Sequence, residues 1–209
     1  MATRPRPKTG ERAGAGGLPR RSVTLWAWAL AEQHLARPLP RRWAHVQGVA
    51  RLASRVGRDL LTDPERELLV AAALLHDIGY APPLVDSGYH PLDGARFLTR
   101  QRASSRLANL VAQHSGAAHV ARLRGFAAEL AAFPDERGVL RDALWYCDMR
   151  TSPAGEPVTF EARIADIRLR HGPGSYLVRA LDSGLLVARR HAVHRTEARL
   201  TREPDAPDS

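Results

Sequence analysis

The stretch Leu74–Tyr80, LLHDIGY, sets a histidine directly before an aspartate at the end of an apolar run. Such a pair is either a hydrogen-bonded core couple or part of a metal site, since imidazole and carboxylate are both common ligands. Other segments bear on the choice. His45 falls in line with Val49, Leu52 and Val56 at helical spacing, on an apolar face. His114 shares a face with Leu107, Leu110 and Val111, and Asp148 shares one with Leu140 and Leu144. His76 and Asp77 diverge by about 100° around a helix axis, yet both can reach one ion from the helix end. Several helices therefore each direct a metal-competent group towards the core. Burying Asp77 and Asp148 uncompensated is costly, and the one lysine, Lys8, lies far away in sequence. A divalent cation offsets both charges at once.

The elements that must position these groups read as helices throughout, with no run of alternating strand pattern. An opening helix spans 23–35 and stops before RPLPRR, and the next starts near Arg42. In TDPERELLVAAALLHDIGY, Asp63 serves as N-cap and Pro64 occupies the first helical position; this helix ends around APP. Further helices begin at HPLDGARFL, run from Ser105 to His114, and cover GVLRDALWYCDM and VTFEARIADIRLRH. A long last helix is expected from Tyr176 to Leu200. The pattern implies an all-α, single-domain helical bundle over 23–200, with C-terminal helices over 157–200, a disordered basic tail at 1–22 and a polar tail at 201–209.

Composition sets the remaining bounds. The chain has 209 residues, 44% of them hydrophobic, enough for one sizeable core. No apolar run is long enough to span a bilayer, the N-terminus lacks the apolar segment of a secretory signal, and the single Cys147 fits a reducing cytoplasm. The net charge of +9 invites a nucleic-acid reading, but +5 of it sits in residues 1–22. Thirty arginines against one lysine fit a G+C-rich coding sequence better than selection for phosphate contacts. No specific nucleic-acid partner and no membrane partner are expected.

Taken in order, His45…His76-Asp77…Asp148 resembles the metal-binding signature of the HD superfamily of metal-dependent phosphohydrolases, and LLHDIGY matches its central motif. The resemblance covers roughly residues 42–150 and implies a helical bundle of the HD-domain type with its metal-site core there. In YHPLDGARFL and LVAQHSGA, His90 and His114 stand where a subset of the superfamily carries further ligands, in the order H…HD…H…H…D. That subset looks dinuclear and includes cyclic-dinucleotide phosphodiesterases, dinucleoside polyphosphate hydrolases and a few diiron oxygenases. The resemblance implies that His45, His76 and Asp148 hold one ion, His90 and His114 the other, and Asp77 bridges. The competing roles are a helix-start cap for His90 and a dipole-favoured helix end for His114.

One or two divalent transition-metal ions are implied. Imidazole-rich ligation suits Mn, Fe, Co, Ni or Zn better than Mg, with Fe or Mn favoured. Two carboxylates leave such a pair of ions net positive, which draws in a phosphate and makes hydroxide available near neutral pH. The implied activity is hydrolysis of a phosphoester or phosphoanhydride of a nucleotide-like small molecule, with Asp77 also accepting or relaying the proton of water. Many HD hydrolases carry a lysine three residues after the motif aspartate; here that residue is Tyr80, so Arg96 and Arg150 are candidates for holding phosphate with it. The alternatives are a diiron oxygenase of the HD type and a non-catalytic nucleotide-sensing module. The long final helix offers a surface for a homo-oligomer.

Other residues attract blander readings. His191 and His194 have ligand spacing but arginine flanks, which fits a solvated helix face. His34, His119 and His171 are given no role, Cys147 reads as a buried packing residue, and Trp26, Trp28 and Trp43 as packing contacts. The GPGS of 172–175 lacks a preceding strand and a lysine, and reads as a helix–helix turn.

Overall fold

A computed structural model describes residues 22–202. The expected basic tail, Ser22 apart, and residues 203–209 of the polar tail lie outside the described residues. Within them the chain is all-α: eleven α-helices and no strand, with one isolated bridge between Thr151 and Pro157. They are α1 (Val23–Ala31), α2 (Pro40–Leu60), α3 (Asp63–Leu75), α4 (His90–Arg100), α5 (Ser105–Gln113), α6 (Ala117–Arg124), α7 (Ala127–Ala131), α8 (Val139–Met149), α9 (Phe160–His171), α10 (Tyr176–Ala180) and α11 (Leu186–Leu200). No helix among the described residues is long and apolar enough to cross a membrane.

Helix α3 is the centre of the fold. Its second half, Ala71 to Leu75, is fully buried, because α1, α2, α5 and α8 pack around it. That enclosure explains why the run before His76 is apolar on every side rather than on one face. Its start is set by Thr62 as N-cap, with Asp63 and Glu65 in the first turn and Pro64 at the second position, one residue away from the expected cap. A second apolar cluster, built on Met149, Phe160, Ile167, Leu181 and Leu185, joins the end of α8 to the C-terminal helices. A third, including Tyr89, Leu92, Ala112, Ala121 and Leu130, lies under α6 and α7.

The structure departs from the sequence reading at several elements. The opening helix stops at Ala31 and continues as a wider π-turn over Glu32–Ala36. Helices α6 and α7 were not anticipated, being only 8 and 5 residues long. Gly116 and Gly125, at φ 75° and 81°, bracket α6 in the left-handed conformation that glycine adopts freely. The long final helix is broken: Ser183 and Gly184 leave helical geometry, with Gly184 at φ 118°, and α11 sets off afresh from Leu186. Of the tryptophans, Trp28 is 41% exposed, its ring edge against Trp43.

Candidate metal centre

Six side chains from five helices and their ends converge. His45 comes from the middle of α2, His76 and Asp77 from the end of α3, His90 from the first turn of α4, His114 from the residue after α5, and Asp148 from the last turn of α8. Five of them are buried and His90 is partly so. Their ligand atoms fall into two triads able to hold a metal ion, His45/His76/Asp148 and Asp77/His90/His114, within each of which the atoms lie within 4.8 Å of one another.

Asp77 faces both triads. Its Oδ2 is 3.4 Å from His76 Nε2 and 3.9 Å from His45 Nε2, while its Oδ1 is 3.3 Å from His90 Nε2 and 3.9 Å from His114 Nε2. Across the first triad, His45 Nε2 lies 3.1 Å from Asp148 Oδ1. In the second, the Nε2 atoms of His90 and His114 are 3.2 Å apart.

The chain fixes which ring nitrogen faces inward. Nδ1 of His45, His76 and His114 lies 2.9, 2.8 and 2.6 Å from the backbone carbonyls of Ser152, Ala73 and Val111, respectively. A carbonyl only accepts, so each Nδ1 carries the proton and donates. In the neutral rings each Nε2 lone pair then points at carboxylate oxygens or at another imidazole. Lone pairs aimed at acceptors repel unless a cation or proton sits among them. His76 Nε2 is fully buried and has no hydrogen-bond partner. The donor set therefore fits metal ions.

Electrostatics agree. Burial, aided by His76 and His90, lowers the His114 pKa to about 3, and burial lowers that of His90, so both stay neutral and available as ligands. Burial also works against charge on His76, but the neighbouring Asp77 outweighs it and raises its pKa. A proton and a metal ion compete for that nitrogen. Both carboxylates stay well below their ordinary range against the pull of burial. Arg42 and His76 hold Asp77 there, and His45, His76 and Arg163 hold Asp148.

The sequence reading counted only lysine as a counter-charge for these carboxylates, and arginine supplies it instead. Arg42 Nη1 lies 2.6 Å from Asp77 Oδ2, and Arg163 Nη2 lies 3.4 Å from Asp148 Oδ1. Ser115 adds a hydroxyl donated to Asp148 Oδ2. The lone-pair geometry, rather than missing counter-charge, is what calls for an ion.

Asp77, His90, His114 and Asp148 line a cleft of about 320 Å³, together with the polar and aromatic Arg42, Tyr80, Tyr89, Arg124, Arg163, Arg170 and Arg189 and the apolar Val120, Met149, Ile167 and Leu177. Tyr80 lines this cleft: its ring stacks on His90 at 3.8 Å between centroids, with the Arg42 guanidinium 4.2 Å from its own centroid. Arg96 and Arg150 do not. Arg96, six positions after His90 and so rotated by roughly 240° around α4, faces Asp86 at 3.6 Å. Arg150 pairs with Glu197 at 2.9 Å and lines a separate groove. His171, given no role from sequence, lines the mouth of the cleft, whereas His191 and His194 are exposed, as read.

Sequence reasoning missed Arg42, Ser115, Arg163 and Arg189. Arg42 was accessible, since it precedes His45 by three residues and so shares its face. Arg163 and Arg189 gave no signal, because both stand in arginine-rich helices that read as solvated.

Comparison with curated proteins and with solved structures found no match for this chain. Among protein families, the HD domain matches residues 42–167, more than half of the chain. That span holds all six converging side chains together with Arg42 and Arg163, and stops short of Arg189. The HD superfamily includes metal-dependent phosphohydrolases. With its ordered His, His-Asp, His, His and Asp gathered at one point of a helical bundle, this chain belongs to the HD domain family.

Proposed function

We propose that the protein is a metal-dependent phosphohydrolase that cleaves a phosphoester or phosphoanhydride of a nucleotide-like small molecule in the cytoplasm. The observation that carries this reading is the division of the two Asp77 oxygens between two histidine-containing triads, beneath a cleft lined by five arginines. Paired triads support two ions, and the arginines support an anionic substrate rather than a neutral one. Imidazole-rich ligation favours Fe or Mn, with Co, Ni or Zn as substitutes. When bound, such ions supply Lewis acidity towards a phosphoryl oxygen and make a coordinated water acidic near neutral pH.

The chain's own residues do the rest. His45, His76 and His114 keep their Nε2 atoms free by donating Nδ1–H to backbone carbonyls. Asp77 is the carboxylate placed to take a proton from the attacking water. Arg42 holds Asp77 in position and offers its remaining N–H groups to a phosphate oxygen beside it. The stacked Tyr80 and the apolar lining residues Met149, Val120 and Ile167 suit the organic part of the substrate.

Metal analysis combined with phosphate release from a panel of nucleotides, run with and without oxygen, tests the reading. Chelation is expected to abolish release, and Fe or Mn to restore it. Turnover that requires oxygen would instead identify an oxygenase, and binding without turnover a sensing module. In the same assay, His90→Ala is expected to lose about one metal equivalent per chain with its circular dichroism unchanged. Unaltered metal content would leave a mononuclear centre.

A further inference from the structure

The cleft holds a cation that its carboxylates do not account for. Of its five arginines, Arg42 engages Asp77 at 2.6 Å, Arg124 the Gly88 carbonyl at 2.8 Å, and Arg170 Asp166 at 2.7 Å. Arg163 reaches Asp148 at 3.4 Å and Asp166 at 3.3 Å, leaving its buried Nε without a partner. Arg189 is different. It is 6% exposed, and its Nε donates to the Ser115 carbonyl at 2.8 Å. Among the described residues it makes no other hydrogen bond and no ion pair, and its buried Nη1 has no partner. Burial lowers its pKa to about 10, with Asp148 opposing, so it remains a cation at neutral pH. A guanidinium buried without a counter-ion weakens the fold, so a partner that supplies negative charge there is strongly favoured.

Three local features lie around Arg189 and its partner carbonyl. The break at Ser183–Gly184 restarts the helix so that Leu185 presses against Gly116, where an added Cβ would lie 2.3 Å from Leu185 Cδ1. Next to that contact Ser115 sits at φ 47°, a left-handed conformation unfavourable for a non-glycine residue. From there its carbonyl takes the Arg189 Nε–H and its hydroxyl donates to Asp148. Arg163 touches Asp148 directly. Both arginines are thus linked to one carboxylate of the metal centre, and any anion they hold lies next to a group held by the ions.

We infer that Arg189, together with Arg163, forms an anion subsite that takes a second phosphoryl group of the substrate, so that the substrate class is a small organic diphosphate. The inference rests on the phosphohydrolase reading for the first phosphoryl group. Two phosphoryl groups joined through one bridging oxygen are adjacent in the way the shared Asp148 requires. Each arginine can fork onto phosphoryl oxygens with two N–H groups. A monophosphate held at the ions would leave Arg189 buried and unpaired.

Titration calorimetry of the full chain with inorganic pyrophosphate and with orthophosphate tests this, with Arg189→Met and Arg189→Gln alongside. Metal-loaded wild type is expected to bind pyrophosphate at least about tenfold more tightly than orthophosphate. Both variants are expected to lose that preference with metal content unchanged. Pyrophosphate should raise the melting temperature of the wild type and leave that of Arg189→Met unmoved. Because Arg189 lacks a counter-ion, Arg189→Met itself is expected to melt no lower than wild type. Metal-stripped protein separates the two readings, since pyrophosphate binding there that Arg189→Met abolishes supports the subsite even where hydrolysis fails. Retention of the preference by both variants, or failure of both to fold, would give Arg189 a purely structural role and overturn the inference.

Discussion

Asp77→Ala is expected to empty both proposed metal sites and to lower phosphate release on the order of a thousandfold. Asp77 turns one carboxylate oxygen towards each triad. Removing it takes Oδ2 from His45 and His76 and Oδ1 from His90 and His114 in one change. Loss of either oxygen alone would weaken one ion. Loss of the whole carboxylate also removes the group proposed to take the proton of water. The fold should survive, because the Arg42 side chain left without its partner is 30% exposed and can turn to solvent. Asp77→Asn, nearly isosteric, keeps one oxygen and should retain part of the metal with little activity. Elemental analysis, phosphate release and circular dichroism on the three proteins check this. Full metal occupancy in Asp77→Ala would mean that the two triads do not act as a joint centre.

Gly79→Ala should be the most damaging small substitution in the LLHDIGY segment, costing about 3 kcal/mol of stability and weakening metal binding at the Asp77/His90/His114 triad. A Cβ on Gly79 would lie 2.1 Å from the His90 carbonyl oxygen and 2.6 Å from the Gly94 nitrogen. Those are backbone atoms of α4 and cannot rotate away. Only a shift of the whole helix relieves the contact, and His90 is its first residue. Gly94 makes the approach from the other side, with its own Cβ position 3.2 Å from the Gly79 nitrogen. Two glycines therefore let the turn after Asp77 and the start of α4 come close enough for Asp77 and His90 to share a site. Gly174→Ala, with open space around it and no left-handed backbone, should be nearly neutral in the same denaturant titration. A Gly79→Ala protein with wild-type stability and both ions would remove close approach as the reason for glycine in this turn.

The parts of the site that were legible in the sequence are those with local causes. His45, His114 and Asp148 were placed by 3.6-residue periodicity, which reports the face a residue takes without reference to any partner. Helix starts followed from Pro64 and Pro91, whose fixed φ marks a first turn wherever it occurs. His90 offered no such pattern. It came only from resemblance to a family motif, because it sits at a helix start where one face cannot yet be defined.

The order of metal-competent residues, the helical class and the positions of most helices are set by the sequence itself, since each depends on neighbours within a few residues. Tertiary structure alone decided which oxygen of Asp77 meets which histidine, which ring nitrogens are turned inward by the carbonyls of Ser152, Ala73 and Val111, and which arginines reach the cleft. It also decided that Arg96 and Arg150 look elsewhere and that the last helix is broken at Ser183–Gly184, ahead of Arg189. The reason is physical: a long guanidinium side chain carries no periodic signature that separates solvent from a buried carboxylate. Its partner lies tens of residues away, and only packing between helices brings the two within hydrogen-bonding distance.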